Sequence, residues 1–324
     1  MQSLIDDHRK DIQSKFCNSC WKAEASGVES KRQQYNKHYS QYLDAMERSV
    51  KLRIVPVGNV CNLNCVTCDP AWSTGWIKKH NFMWQSNWNR SQIKQTVNDA
   101  HINDIESTSH VEFIGGETLL SRSFWQKLEF LDKNTSFSIQ TNGTVGLSAQ
   151  QVDLLRSFKK INICFSVDGY GEIFDYMRQP AKWSSTNTNI KKYYEHFGGS
   201  RLSFYLTVSN LNIFYIDKIM LELFKLIPVT ISINLVSDPW DFSYDNVTPR
   251  VGQIIEKNNP VFFSKRSINW KGDEKTVSNT LRNLQLQDEF SGLKFADHLS
   301  DVYKIMSDDI RHNVSTRSIP ERYR

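Results

Sequence analysis

Six short apolar runs, most of them followed by a segment of helical character, constrain this chain more than any other feature. They are Leu52–Val57, His110–Ile114, Phe137–Gln140, Lys160–Val167, Leu202–Val208 and Val229–Val236. Their length and apolar alternation mark strands. Helices are expected between them over Ser123–Leu131, Ser148–Phe158 and Ile216–Phe224. Strand and helix in repeated alternation predict a parallel sheet with crossover helices. In parallel α/β folds, ligands gather at the carboxyl ends of the strands.

The chemistry-bearing residues sit at those ends. Cys61-Asn62-Leu63-Asn64-Cys65-Val66-Thr67-Cys68 follows the first strand and offers three thiols at spacings of four and three. A loop leaving a strand end can point several side chains at one small object, and three thiolates on one centre suggest a metal or an iron–sulfur cluster. Three ligands to four irons leave one iron open, as a catalytic site does. Two other readings stand on the residues alone: a zinc site with His80 as fourth ligand, and unrelated packed thiols. Further strand ends carry Gly115-Gly116-Glu117, Gln140-Thr141-Asn142-Gly143 and Ser166-Val167-Asp168-Gly169. Two glycines let backbone approach a ligand closely. A carboxylate accepts from an ammonium or hydroxyl, and Ser166 can donate and accept. Asn142-Gly143 by itself is a turn signal, and Gly115–Glu117 by itself is a strand-to-helix turn. Cys164 lies in an apolar run and reads as a core thiol.

Cys-x-x-x-Cys-x-x-Cys after a first strand, with these motifs in this order, resembles the radical SAM superfamily. The resemblance spans about residues 14–240. It implies an open, partial (β/α)6 TIM-like barrel of the α/β class, with a 4Fe-4S cluster on Cys61, Cys65 and Cys68. Its open iron would be chelated by S-adenosylmethionine (SAM). An electron from the cluster would then cleave the sulfonium, and the 5′-deoxyadenosyl radical would take hydrogen from substrate. It also implies that Gly115, Gly116 and Glu117 meet the methionine amino group and that Gln140 and Asn142 face the cofactor. Ser166 and Asp168 would meet the ribose, and Arg178 the carboxylate. Trp183, Asn189 and Asn212 stand at spacings such relatives show. Thr67 departs from the aromatic residue often found there, leaving Trp72 and Trp76 as candidates to pack by the adenine.

The chain divides into a helical N-terminal segment over 1–50, the barrel over 51–240 and a helical C-terminal extension from 241 to 324. Within the first, Cys17-Asn18-Ser19-Cys20 resembles the end of an N-terminal twitch domain, related to SPASM domains, which holds an auxiliary iron–sulfur cluster. Relatives carry further cysteines before this pair; the sequence here shows none, so a truncated twitch domain is expected. Two thiolates do not fill a four-cysteine site, and His8, His38 and Glu24 are the nearby non-cysteine options.

A chain of 324 residues with net charge +5 has ample core, and its charge specifies no partner. Nucleic acid is not indicated. No apolar run reaches the length of a membrane span. Met1–Gln13 is polar and unlike a secretory signal. Six cysteines grouped in this way fit metal binding in a reducing cytosol, so a cytoplasmic protein is expected. The resemblance implies a peptide substrate, as for many SPASM and twitch relatives, and an electron donor such as a flavodoxin or ferredoxin. The alternatives are a sugar or nucleoside substrate, or a cluster- or zinc-binding protein that does not turn over SAM.

Overall fold

The computed structural model describes residues 7, 10, 12–14, 17–25, 29–39, 52–89, 110–264 and 266–313. Six strands form one sheet: β1 (Leu52–Pro56), β2 (His110–Ile114), β3 (Ser136–Thr141), β4 (Ile161–Val167), β5 (Leu202–Val208) and β6 (Thr230–Leu235). They lie in sequence order, and every pairing is parallel. Such an order follows from strand–helix–strand units that all cross over with the same hand. The helices then fall on one face, and the sheet curls towards a barrel instead of reversing as a doubly wound sheet does. β1 and β6 are the two edges, so the barrel is open, as the sequence led us to expect.

Side-chain parity separates the two faces. Val111, Phe113, Phe137, Ile139, Ile163, Phe165, Phe204 and Leu206 are buried and pack towards the helices. Phe113 meets Phe124 edge-on at 5.1 Å and Phe137 at 5.7 Å, and Phe165 meets Tyr193 at 5.2 Å. Phe124 belongs to α4 (Arg122–Phe130) and Tyr193 to α7 (Trp183–Phe197). The opposite, concave face carries Glu112, Ser138 and Asn162 in one register row, and Gln140, Cys164 and Ser203 in another. Cys164 therefore does not belong with the apolar residues flanking it. It is buried, and burial pushes its thiol up to about 11, but its parity is that of Asn162 and Ser166.

The other helices longer than four residues are α1 (Asn18–Ala25), α2 (Lys31–Tyr39), α3 (Trp76–Trp84), α5 (Ala149–Arg156), α6 (Gly171–Met177), α8 (Ile216–Leu226), α9 (Pro249–Asn258), α10 (Glu274–Ser291) and α11 (Ser300–Asn313). Side chains start several of them. Ser121 caps α4, Ser148 closes a capping box on α5, and Asp273 does so on α10; each satisfies an amide that the helix leaves unpaired. α10 ends at Gly292, whose φ of 70° suits glycine. Residues 40–50 of the expected N-terminal helical segment and 314–324 of the C-terminal extension lie outside the described residues.

α10 carries the C-terminal extension back to the strand-end side. Gln287 donates to the Val66 carbonyl at 3.2 Å, and Asp288 accepts from the Tyr176 hydroxyl at 2.8 Å. Phe295 lies 5.6 Å from the Tyr176 ring. Among the described residues no helix is long and apolar enough to cross a membrane.

Candidate cofactor site at the strand ends

The cysteine loop begins where β1 ends, and its backbone extends the β1–β2 pairing. Val57 N–H donates to the Ile114 carbonyl (2.8 Å), Gly116 N–H to Gly58 (3.0 Å) and Glu117 N–H to Val60 (2.8 Å). This contact by itself requires glycine at both positions. A Cβ on Gly115 would stand 2.4 Å from the Gly58 carbonyl oxygen, and one on Gly116 would stand 2.5 Å from that of Val60. Both are backbone atoms and cannot swing aside. Gly116→Ala should therefore cost about 1–3 kcal/mol, the usual range for overpacking, read as a lower unfolding midpoint. Gly146→Ala is the control, since nothing lies within 4 Å of its Cβ; equal stability of the two variants would contradict the contact.

The loop is braced from every side. Asn64 N–H donates to the Gln179 carbonyl and Val66 N–H to that of Met177, both at 2.8 Å. Ser73 donates to the Leu63 carbonyl at 2.6 Å and the Trp76 indole to the Cys65 carbonyl at 2.7 Å. On the side of β3, the Asn142 amide donates to the Asn62 side chain at 2.9 Å. Three thiols thus stand on a fixed backbone, each partly exposed. Leu63 N–H donates to Cys61 Sγ at 3.4 Å, and Cys68 Sγ–H donates to the Asp69 carbonyl at 3.6 Å. Burial pushes all three thiols up, Cys65 to about 12; a charge on Cys61 raises Cys65 and Cys68 further, and one on Cys65 raises Cys68.

The donor set suits a thiolate-bound cationic centre. The thiols share one braced loop, and their ionisation is opposed by burial and by one another until a cation meets them. Among the described residues no group of three His, Cys, Asp or Glu side chains closes on a single point as a metal shell. Each cysteine can swing its sulfur by one staggered χ1 step without moving the backbone. His80, the fourth ligand of the zinc alternative, is engaged elsewhere: its Nδ1 lies 2.9 Å from Ser86 Oγ, and its ring lies against Trp84 and Trp88.

The strand-end motifs converge on this loop, with their charged atoms occupied by the chain's own groups. Glu117 is buried. One of its oxygens accepts from Leu119 N–H (3.1 Å) and the Thr141 hydroxyl (2.8 Å), the other from Asn142 N–H (2.7 Å). It clamps the end of β2 to the end of β3. Burial pushes its carboxyl up, and these three donors work against that. Arg178 and Asp168 form a buried two-pronged pair at 2.9 and 2.8 Å. Asn212 donates to the Asp168 carbonyl at 2.7 Å and to Thr207 at 2.8 Å, tying β4 to β5. Gln140 donates to Glu112 at 3.0 Å on the concave face, and Ser166 is half-buried there. Asn189 of α7 donates to the Thr144 carbonyl at 2.9 Å. Trp76 is buried beneath the loop, and Trp72 is exposed.

Cys20 lies on α1 and Cys17 just before it. The neighbouring Arg32 lies over the Trp21 ring at 4.4 Å and forms a bidentate pair with Glu24 at 3.1 and 2.7 Å. Glu24, one of the suggested completing ligands, is thus taken up by Arg32. His8 lies outside the described residues, as does the side chain of His38.

The sequence reading missed Lys79, Tyr176, Gln179, Gln287 and Asp288, which form the polar floor beneath the loop. Lys79 is completely buried. Its Nζ donates to the Asn64 carbonyl at 3.1 Å and to Gln179 Oε1 at 3.4 Å, and it sits 4.6 Å from the Trp76 ring. The one local signal is its spacing of three from Trp76, which puts both on one helix face.

No protein-family model matches the chain, and no curated protein matches it. Solved structures that resemble it include anSMEcpe with bound AdoMet (TM-score 0.46, 19% identity, 68% of this chain and 61% of that one). Two others are Streptococcus suis SuiB bound to S-adenosylmethionine (0.42, 12%, 73% and 50%) and SuiB bound to precursor peptide SuiA (0.41, 12%, 85% and 59%). The chain thus covers 61% of the first of these. Likeness at this level assigns no activity to the chain.

Proposed function

We propose that this protein is a radical SAM enzyme. The observation that carries the reading is the braced loop at the end of β1, which presents Cys61, Cys65 and Cys68 beside the ends of β2, β3 and β4. Those cysteines would hold a 4Fe-4S cluster. Once bound, the cluster supplies the electron that cleaves SAM and the open iron that chelates its methionine end.

The chain's own residues do the positioning. Glu117 locks the turn after β2 against Asn142, so the Gly115–Gly116 backbone and the Asn142 side chain present a fixed wall to the cofactor. Asp168 and Arg178 hold the end of β4 rigid, with Ser166 and Gln140 lining the concave face. Glu117 and Asp168 act through the wall they hold, while Arg178 spends Nε and one terminal nitrogen on Asp168 and keeps its other terminal nitrogen for a carboxylate. The concave face, with Glu112, Ser138, Gln140, Asn162 and Tyr205, is polar and suits a substrate rich in amide or hydroxyl groups. A peptide is the reading we favour, and a sugar or nucleoside shares that chemistry. A low-potential protein such as a flavodoxin or ferredoxin would deliver the electron.

Anaerobically reconstituted protein, reduced with dithionite, should convert SAM to 5′-deoxyadenosine and methionine even without substrate. Product should be lost in Cys65→Ala. SAM left intact by a protein that carries a full cluster would favour the non-catalytic alternative.

A further inference from the structure

Lys79 presents a charge the rest of the structure does not balance. Its side chain is completely buried on α3, directly under the cysteine loop. Its two hydrogen-bond acceptors, the Asn64 carbonyl and Gln179 Oε1, are neutral. Among the described residues no carboxylate lies within ion-pair reach of Nζ. The charged or ionisable groups that act on it are Cys65, then Asp288 of α10, then Cys68. An isolated buried ammonium is strongly disfavoured, and neutral thiols do little to offset it. Thiolates at Cys65 and Cys68 would.

We propose that Lys79 is a positioning residue for the cysteine-loop centre: its ammonium is the buried countercharge of the ionised Cys65 and Cys68 and favours the reduced form of the cluster. This rests on the reading of Cys61, Cys65 and Cys68 as cluster ligands. One-electron reduction adds one negative charge to the cluster, and a nearby fixed cation stabilises the state with more negative charge. The electron comes from an external low-potential reductant, and no bond to Lys79 forms or breaks. The hydrogen bond to Asn64, the residue before Cys65, also fixes that stretch of the loop. Arg178 acts on Cys65 ahead of Lys79 and also on Cys61, but its charge is already paired with that of Asp168. Lys79 is the cation left for the loop.

The test is the reduction potential of the reconstituted holoprotein without SAM, titrated with dithionite and followed by electron paramagnetic resonance. Lys79→Met and Lys79→Gln remove the charge, the second keeping a donor for Asn64; Lys79→Arg keeps the charge. In both neutral variants the equilibrium constant for reduction should fall about tenfold, about 59 mV for one electron, with Arg close to wild type. A steric role alone would not move the potential. Loss of the cluster in both neutral variants, with fold and cluster kept by Lys79→Arg, would also support the countercharge. Neutral variants that hold the cluster at the wild-type potential would overturn it, as would equal loss in all three variants. A wild type that binds no cluster would take down the family reading as well, an outcome visible before any variant is made.

Discussion

Arg178→Met should lower the stability of the cofactor-free protein by about 3–5 kcal/mol, the cost of leaving one member of a buried ion pair without its partner. Asp168 is 1% exposed and Arg178 8%, and the two meet through two hydrogen bonds at 2.9 and 2.8 Å. Removing the guanidinium strands a carboxylate at the end of β4, where the remaining tie is Asn212 to the Asp168 backbone. The double variant Asp168→Asn/Arg178→Met removes both charges and should recover much of the loss, since a neutral pair carries no stranded charge. A double-mutant cycle in urea, without SAM, isolates the coupling. This separates two roles for Arg178. If it served only to bind the carboxylate of a ligand, the apoprotein would change by no more than about 0.5 kcal/mol, as surface substitutions do. A loss of that size would contradict the buried pair.

What could be read from the sequence follows from locality. The six strands and most intervening helices were legible because alternation and helical period are properties of neighbouring residues. The strand-end motifs were legible because parallel topology sends every strand's carboxyl end to the same side. Cys164 shows where reading was too coarse. Ile163-Cys164-Phe165 looks like an unbroken apolar run, but Cys164 shares its parity with Asn162 and Ser166, and that parity put it on the polar concave face.

Other features depend on contacts far apart in the chain. Gly115 and Gly116 suggested room for a ligand, whereas the space beside them is filled by the backbone of Gly58 to Val60. Glu117 and Arg178 stood where free charges would serve a cofactor, and each proved to be paired with a residue 10 to 25 positions away. Gln287 reaches the Val66 carbonyl across 221 residues, so the C-terminal extension helps to build the cysteine loop's surroundings. Nothing local to α10 announces that contact. Lys79 was equally hidden, because a lysine in a Trp- and Lys-rich segment looks solvent-facing until its helix is docked.

Replacing the loop thiols should abolish the cluster. Protein reconstituted anaerobically should carry about four irons and matching sulfide per chain, the content of one 4Fe-4S cluster. Replacing Cys61, Cys65 and Cys68 together with alanine should bring both to background, because the remaining described cysteines lie on the concave face or on and near α1. Cys17→Ala/Cys20→Ala should keep the full count, since two thiolates with Glu24 engaged by Arg32 do not complete a second site. Iron and sulfide analysis with Mössbauer spectroscopy of the wild type and these two variants is the most direct measurement. The predicted result is one cluster, lost in the triple variant and kept in the double one. Zinc in place of iron, or iron retained in the triple variant, would contradict the central claim. A count near eight that halves in the double variant would instead show a second, N-terminal cluster.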